Sequence, residues 1–374
     1  MSQKRELRTI EIIGLLILVA SLVGLFVRPE FIGGIFNAMV NRIVDVVVKA
    51  YLTGTLACAI IASVIMGRVL ERLGLTDAML RVFMPIASWL GVNPTVVVPG
   101  VYNILGDINA AGRISGPVLK KARATKDEQK IAVATMVQSQ QSFSTFMLGL
   151  IALANAKVWA FPVVILGVFA PLVLVPLILS KTIWRNCKRV TIDELPSFTP
   201  NTPALPTLFG AAREGAELVF LLIIPAAAVI FAIIGALDFV GIWKPIESAI
   251  NSVLVALSID PKTGLLSVLA SPTLAMNTLK DAAATLQPKL VVGSFVLAAS
   301  GFPLQVIFGQ IPAVWAANSD LSEKEAMGAA ALGAFFRVIT ACVLAVALTP
   351  PRSEVVTSKR QVGTGKAATG SCSL

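Results

Sequence analysis

The stretch "QSQQSFSTF", residues 138–146, decides how this chain is read. It lies inside "IAVATMVQSQQSFSTFMLGLIALA" (131–154), otherwise apolar enough for a membrane helix, yet it carries three glutamines and three serines where lipid-facing leucines are expected. Unpaired polar groups are expensive in hydrocarbon. Gln138, Gln140, Gln141, Ser142, Ser144 and Thr145 must therefore face protein, water or a ligand. On a continuous helix Gln138, Gln141, Ser142 and Thr145 fall at i, i+3, i+4 and i+7, which predicts one polar stripe with Gln140 and Ser144 beside it. Such a stripe offers donors and acceptors without fixed charge, the properties of a solute site. The competing explanation is glue between helices, which suits any single serine better than three glutamines within four residues.

Composition sets the solvent. Of 374 residues, 56% are hydrophobic and 14% charged, against about 25% charge in a soluble domain, so an integral membrane protein is expected. Apolar runs long enough for a hydrocarbon core of about 30 Å recur at 10–27, 51–67, 131–153, 158–180, 217–237, 290–308 and 326–348. Shorter runs at 78–92, 95–105, 246–259 and 264–279 are interrupted by Pro, Gly and polar residues. These predict re-entrant or broken helices. The first run follows "MSQKRELR", exceeds the core of a signal peptide and has no small-residue cleavage pattern after it, so a retained helix is expected.

A net charge of +10 and a pI near 9.7 match the footprint of a phosphate binder. The basic residues, however, sit in loops beside apolar runs, at 4–8, 120–130 and 181–189. That is the positive-inside pattern. No nucleic-acid partner is expected, and the N-terminus, the 120–130 loop and the 181–205 linker are placed in the cytoplasm. The cysteines give no disulfide framework: Cys58 and Cys342 fall in apolar runs, Cys187 in the linker and Cys372 in the tail. There is no histidine, which removes the commonest metal ligand and general base. The chain is not expected to be an enzyme, and no cofactor is expected.

An internal repeat is visible. "ERLGLTDAMLRVFMPIASWLGVNP" (71–94) and "DFVGIWKPIESAINSVLVALSIDP" (238–261) align without a gap at an offset of 167, matching Glu71 with Asp238, Gly74 with Gly241, and Asn93-Pro94 with Asp260-Pro261. Between the copies "TIDELPSFTPNTPALPTL" (191–208), with four prolines, predicts an extended cytoplasmic connector. Charges at helical spacing before each copy, Arg42, Asp45 and Lys49 in one and Arg213, Glu214 and Glu217 in the other, predict amphipathic helices in the membrane interface. Counting spans from a cytoplasmic N-terminus makes the two halves inverted, an arrangement that places a site at their interface and permits alternating access.

Other polar clusters occupy the interrupted runs. "GVYNILGDINAAGRISGP" (100–117) holds Asn103, Asp107, Asn109, Arg113 and Ser115 among glycines that predict two half-helices with an exposed turn. Asp107 is either a coupling-ion ligand or a loop salt-bridge partner of Arg113. "SPTLAMNTLKDAA" (271–283) adds Ser271, Thr273 and Asn277, with Lys280 and Asp281 at a solvated end, and "ASGFPLQVIFGQIP" (299–312) adds Ser300, Gln305 and Gln310. Thr125-Lys-Asp-Glu128 and Ser322-Glu-Lys-Glu325 are capping boxes that mark helix starts. Gly-Thr-Gly-Lys in the tail has the wrong spacing for a phosphate loop.

The "LGL" turn, the helix ending in "LGVNP", the span opening "ATMVQSQQSFSTF" and the second copy's "VGI", "SIDP" and "SGFPLQVIFG" resemble the nucleoside-recognition, or Gate, family of bacterial membrane proteins over most of residues 50–320. That family is similar to the core of concentrative nucleoside transporters, the membrane part of the ferrous-iron transporter and spore-maturation membrane proteins. The resemblance implies an all-α polytopic membrane protein of the bacterial cytoplasmic (inner) membrane, with inverted repeats and hairpin-like re-entrant elements. It divides the chain into an N-terminal helix (1–35), a first Gate-like repeat (36–181), the Pro-rich linker (182–208), a second repeat (209–350) and a disordered tail (351–374). Iron transport is disfavoured, because the chain has no GxxxxGK[ST] motif and no histidine.

The expected function is secondary transport of a small polar organic solute, a nucleoside being one candidate, with Na⁺ or H⁺ as candidate coupling ions. Asn103, Asn109, Gln138, Gln140, Gln141, Ser142 and Thr145 would bind the solute from the first half, and Ser271, Thr273, Asn277, Ser300, Gln305 and Gln310 from the second. Asp107 would take the coupling ion. A non-transporting membrane scaffold and a homo-oligomer remain open alternatives. Aromatic residues make up only 7% and none cluster at the polar stripe, which weakens the case for stacking on a base.

Overall fold

A computed structural model describes residues 8–188, 190, 196–300 and 302–349; the expected tail and its Gly-Thr-Gly-Lys lie outside these. Among the described residues every regular element is helical. The first half comprises α1 (Thr9–Val27), α2 (Pro29–Leu52), α3 (Leu56–Arg72) and α4 (Leu75–Trp89). It continues through α5 (Pro94–Leu105), α6 (Ile108–Lys121), α7 (Lys126–Gln138), α8 (Phe143–Asn155) and α9 (Ala160–Thr182). The second half has α10 (Ala204–Phe239), α11 (Trp243–Ala256), α12 (Pro261–Leu269), α13 (Pro272–Ala282), α14 (Pro288–Ala298), α15 (Val306–Asn318) and α16 (Glu323–Ala347).

Five helices, α1, α2, α9, α10 and α16, are long and apolar enough to cross a membrane, and α11 with α12 forms a further apolar pair bent by 113°. In α1 no residue is buried, and Leu16, Ile17 and Phe26 are among its large exposed apolar side chains. A helix apolar all round and uncovered is stable only in lipid. Both capping boxes form as the sequence predicts. The paired turns also match: Gly74 and Gly241 have φ of 82° and 78°, the left-handed region that glycine enters at least cost. Asn93 and Asp260 each cap the helix that opens at the following proline.

Several expected elements differ. The first interfacial helix, expected at 37–52, belongs to the 24-residue α2, and the second, at 209–218, runs without a break into the 36-residue α10. The apolar runs at 131–153 and 290–308 are each two helices separated by a short break. No lipid-facing surface is available to their first arms, since every residue of 131–140 and of 291–300 is buried. The linker is extended only over 196–203, its last residues from Ala204 already belonging to α10, and it is docked: Asp77 of α4 accepts hydrogen bonds from the Phe198 N–H (2.8 Å), the Thr199 N–H (3.1 Å) and the Ser197 hydroxyl (3.1 Å), and from the Thr199 hydroxyl.

Packing between the halves is reciprocal. α2 lies on the second part of α10 while α3 lies on its first part, and α6 packs on α15 while α13 packs on α8. α7 and α16 begin side by side, where Lys126 and Lys130 reach Glu325 (3.3 and 3.6 Å). Gly293 of α14 lies instead against Ala345, near the other end of α16. Thus α7 and α14 approach the middle of α16 from opposite ends, and both stop there.

Candidate functional site

Where α7 stops, the sequence supplies no Gly or Pro to break it; side chains take over the backbone groups instead. The Gln140 amide donates to the carbonyls of Gln141 (3.2 Å) and Ser142 (3.4 Å). Ser142 has φ of 62°, rare for a residue with a side chain. Its N–H donates to the Asn103 carbonyl (3.1 Å), and its hydroxyl caps α8. The Gln141 N–H crosses to the Ala299 carbonyl of the second break (2.7 Å), so the two breaks touch directly. The predicted stripe therefore does not exist as a helical face, since Gln138 ends one helix and Ser142 begins another.

Two hairpin tips meet these breaks. Asp107, between α5 and α6, accepts the N–H groups of Asn109 (2.8 Å) and Ala110 (3.1 Å) through one carboxylate oxygen. Ser271, between α12 and α13, caps α13 through the Leu274 N–H (3.1 Å). Asp107 forms no salt bridge with Arg113; its role in the fold is that of a helix cap.

Tips and breaks together enclose a cavity of about 80 Å³. Asp107, Asn109, Gln141 and Ser142 reach it from the first half; Ser271, Thr273, Gln305 and Gln310 reach it from the second. The halves are cross-linked across it: the Asn109 amide donates to Gln310 Oε1 (3.1 Å), and a hydroxyl chain runs from Ser142 through Thr145 (2.9 Å) to Thr273 (3.1 Å). Gln305 donates to the Ala270 carbonyl at the second tip (3.1 Å). A wall of α10, including Leu218, Leu222 and Ala226, closes one side.

The other predicted residues sit elsewhere. Asn103, Gln138 and Gln140 are fully enclosed and do not line the cavity; their amide nitrogens serve backbone carbonyls, for Asn103 and Gln138 those of Met136 (3.3 Å) and Gly333 (3.1 Å). Ser300 is buried and donates to the Leu297 carbonyl (2.8 Å). Asn277 lies away from the cavity, with Lys280 (3.0 Å) and Asp281 (3.4 Å). Thr145 is buried one bond behind the lining.

Two features escaped the sequence reading. Arg337 of α16 is completely buried and donates to the carbonyls of Gln138, Val296 and Gly167, each at 2.6 Å. One guanidinium thus holds the ends of both α7 and α14, where helix dipoles are negative. Its signal was present: Arg337 is the sole charged residue in the run 326–348, and a charge inside an apolar span marks a functional or architectural position. The second is a vestibule of about 470 Å³ that shares Asp107, Asn109, Ser142 and Ser144 with the cavity. At its rim Arg68 of α3 binds Glu214 of α10 through two nitrogens (2.8 and 2.5 Å) and Glu71 through one (2.5 Å). Tyr102, in contact with Phe198 of the linker, stands beside it.

Among the described residues no group of three or more Cys, Asp and Glu side chains is placed to hold a metal. No protein-family model matches the chain, and no curated protein and no solved structure is significantly similar to it.

Proposed function

We propose that this chain is a secondary transporter of a small polar solute, built from two inverted repeats whose α5–α6 and α12–α13 pairs are re-entrant hairpins. The observation that carries this reading is that both breaks and both tips, drawn from opposite halves, converge on one polar cavity open to a vestibule. Irregular backbone at membrane depth is tolerated where it lines such a cavity. Arg68 at the vestibule's rim adjoins Tyr102, which contacts Phe198 of the linker, and the positive-inside pattern assigns the linker to the cytoplasm, so the conformation is read as inward-open. Asp107 receives a cation there, Na⁺ or H⁺ being candidates, and Gln141, Asn109 and Gln305 hydrogen-bond the solute. The family resemblance supports this architecture and does not fix the solute.

The scaffold reading draws on a specific observation too, the inward use of Asn103, Gln138 and Gln140 to satisfy backbone. Cysteine accessibility separates the two without knowledge of the solute. In a cysteine-free background, Asn109→Cys and Gln305→Cys react with a membrane-impermeant thiol reagent from the cytoplasmic face in one state and from the opposite face in another. Labelling from one face only, under every condition that keeps the protein folded, would exclude alternating access.

A further inference from the structure

The wall that α10 lends to the cavity is also the stretch where that helix changes its pattern. Over Leu218–Ile223 its hydrogen bonds widen to the π-helical form, ahead of Pro225, which has no N–H to give the preceding turn. Leu218 and Leu222 on this stretch line both the cavity and the vestibule. The two sides of the stretch are held unequally. Beyond it Ala227, Phe231, Ile234 and Gly235 are buried; before it, over 204–217, only Ala211 and Gly215 are. A segment with few buried residues, joined to the core through a π turn, is built as a hinged arm.

The arm is fastened to α3 at one place. At Gly215 the two helices come close enough that an added Cβ would lie 3.0 Å from the Ile61 Cα. One residue earlier, the two carboxylate oxygens of Glu214 take two nitrogens of Arg68, the fork geometry that fits guanidinium to carboxylate. The third nitrogen goes to Glu71, a buried carboxylate one turn along α3. Arg68 thus faces two carboxylates. If Glu214 leaves, Glu71 still neutralises the guanidinium, and Glu214, already half-exposed, passes to water. Opening the pair therefore strands no buried charge, which is what makes breaking an ion pair costly. On the linker side a second cavity of about 320 Å³ is walled by Pro200 and Thr202 of the linker and by Thr207 and Gly210 of the arm. It shares two lining residues with the vestibule, Arg68 and Glu214. The pair is the partition between the two chambers.

We infer that residues 204–217 are a hinged gate and that Arg68–Glu214 is its latch. With the latch open the arm swings on 218–225, the vestibule and the second cavity become one exit, and Leu218 and Leu222 draw back from the site. The vestibule faces the cytoplasm with the latch closed; opening it widens that exit. The gate rests on the transporter reading for its purpose, but its test follows the arm itself, so either can fail alone. In a cysteine-free full-length chain in detergent, spin labels on Phe209→Cys in the arm and Arg81→Cys on α4, both exposed, report the distance between the two helices by pulsed EPR. Glu214→Gln should raise the weight of a longer-distance population about threefold to fivefold, the effect of losing one partly exposed ion pair. Raising the salt concentration should move the parent protein in the same direction by screening, and should leave Glu214→Gln unmoved. Glu71→Gln keeps the fork to Glu214 and should keep the parental distribution. A Glu214→Gln distribution like the parent's would overturn the latch, as would a parent that ignores salt or a salt response that survives in Glu214→Gln. Glu71→Gln moving the arm as far as Glu214→Gln would overturn it too, since the arm would then answer to packing around α3 and not to the pair. After any of these results, two-sided labelling at Asn109→Cys and Gln305→Cys decides the transporter reading separately.

Discussion

The two breaks occupy matching places in the two halves, yet they are held open by different means. At 139–142 the chain carries no Gly or Pro, and the Gln140 amide, the Asn103 carbonyl and the Ser142 hydroxyl take up the groups that the helix abandons. At the second break Pro303 does the work by covalent restriction, lacking an N–H, its carbonyl receiving the N–H groups of Val306 (2.8 Å) and Ile307 (3.1 Å). The difference teaches that a run of glutamines in a membrane segment is not automatically a binding surface. Of Gln138, Gln140 and Gln141 only the last reaches the cavity. In the second half the amides that reach it, Gln305 and Gln310, lie beyond the break.

The breaks also share one part, and the largest expected effect comes from removing it. Arg337→Leu strips a partner from the carbonyls of Gln138, Val296 and Gly167 at once. Each orphaned buried acceptor costs about 1–3 kcal/mol, so the loss should be on the order of 3 kcal/mol or more in thermal unfolding in detergent. Arg337→Lys should recover only part of it, because a single ammonium lacks the planar fork that spans separate carbonyls. A leucine variant that melts with the parent protein would mean that water, and not Arg337, satisfies these helix ends.

The next prediction sets the breaks against each other. Gln140→Leu removes the donor that holds two carbonyls of the first break, at about 1–3 kcal/mol. Ser300→Ala in the second break removes one local hydroxyl bond to Leu297 and should cost about 1 kcal/mol or less. Equal losses in the two variants would refute the proposed difference in how the breaks are built.

What was legible in the sequence follows the same division. The second break announced itself through Gly301-Phe-Pro303, and the matched turns through Gly74 and Gly241, because backbone chemistry is written in residue type. The capping boxes at Thr125 and Ser322 were legible for the same reason. The first break was hidden, since polar side chains on an unbroken helix and polar side chains that dismantle one give the same letters. Periodicity then produced a stripe that the chain does not form. The site was legible as a set of segments: eight of the proposed residues, Asp107 among them, reach one cavity. Asn277 could not be excluded from sequence, because its distance from the tip at Ser271 is a matter of which way α13 points. Arg337 required knowing that the ends of α7 and α14 and the Gly167 carbonyl within α9 converge on it.

The smallest expected effect concerns an asymmetry between the halves outside the breaks. At the offset of the repeat Asp77 of α4 corresponds to Lys244 of α11, so only the first half offers the linker a carboxylate. Burial pushes the Asp77 carboxyl up, but the bonds from Thr199, Phe198 and Ser197 outweigh it and hold the carboxyl below its ordinary value of 3.8. A depressed value in the folded state means that the docking contribution is complete above 3.8 and is lost as pH falls through the lower folded value. The exchange protection of the Phe198 and Thr199 amides, corrected for intrinsic rate, should therefore fall several-fold as the solution is acidified through that range, while the buried helical amides of α7 keep theirs. Asp77→Asn should lower the same two protections at every pH, without the acid step. Protection that stays flat in the parent protein would show that the linker is held by Phe198 against Tyr102 and not by its carboxylate, and the first half would then owe its docked linker to an aromatic pocket instead of to charge.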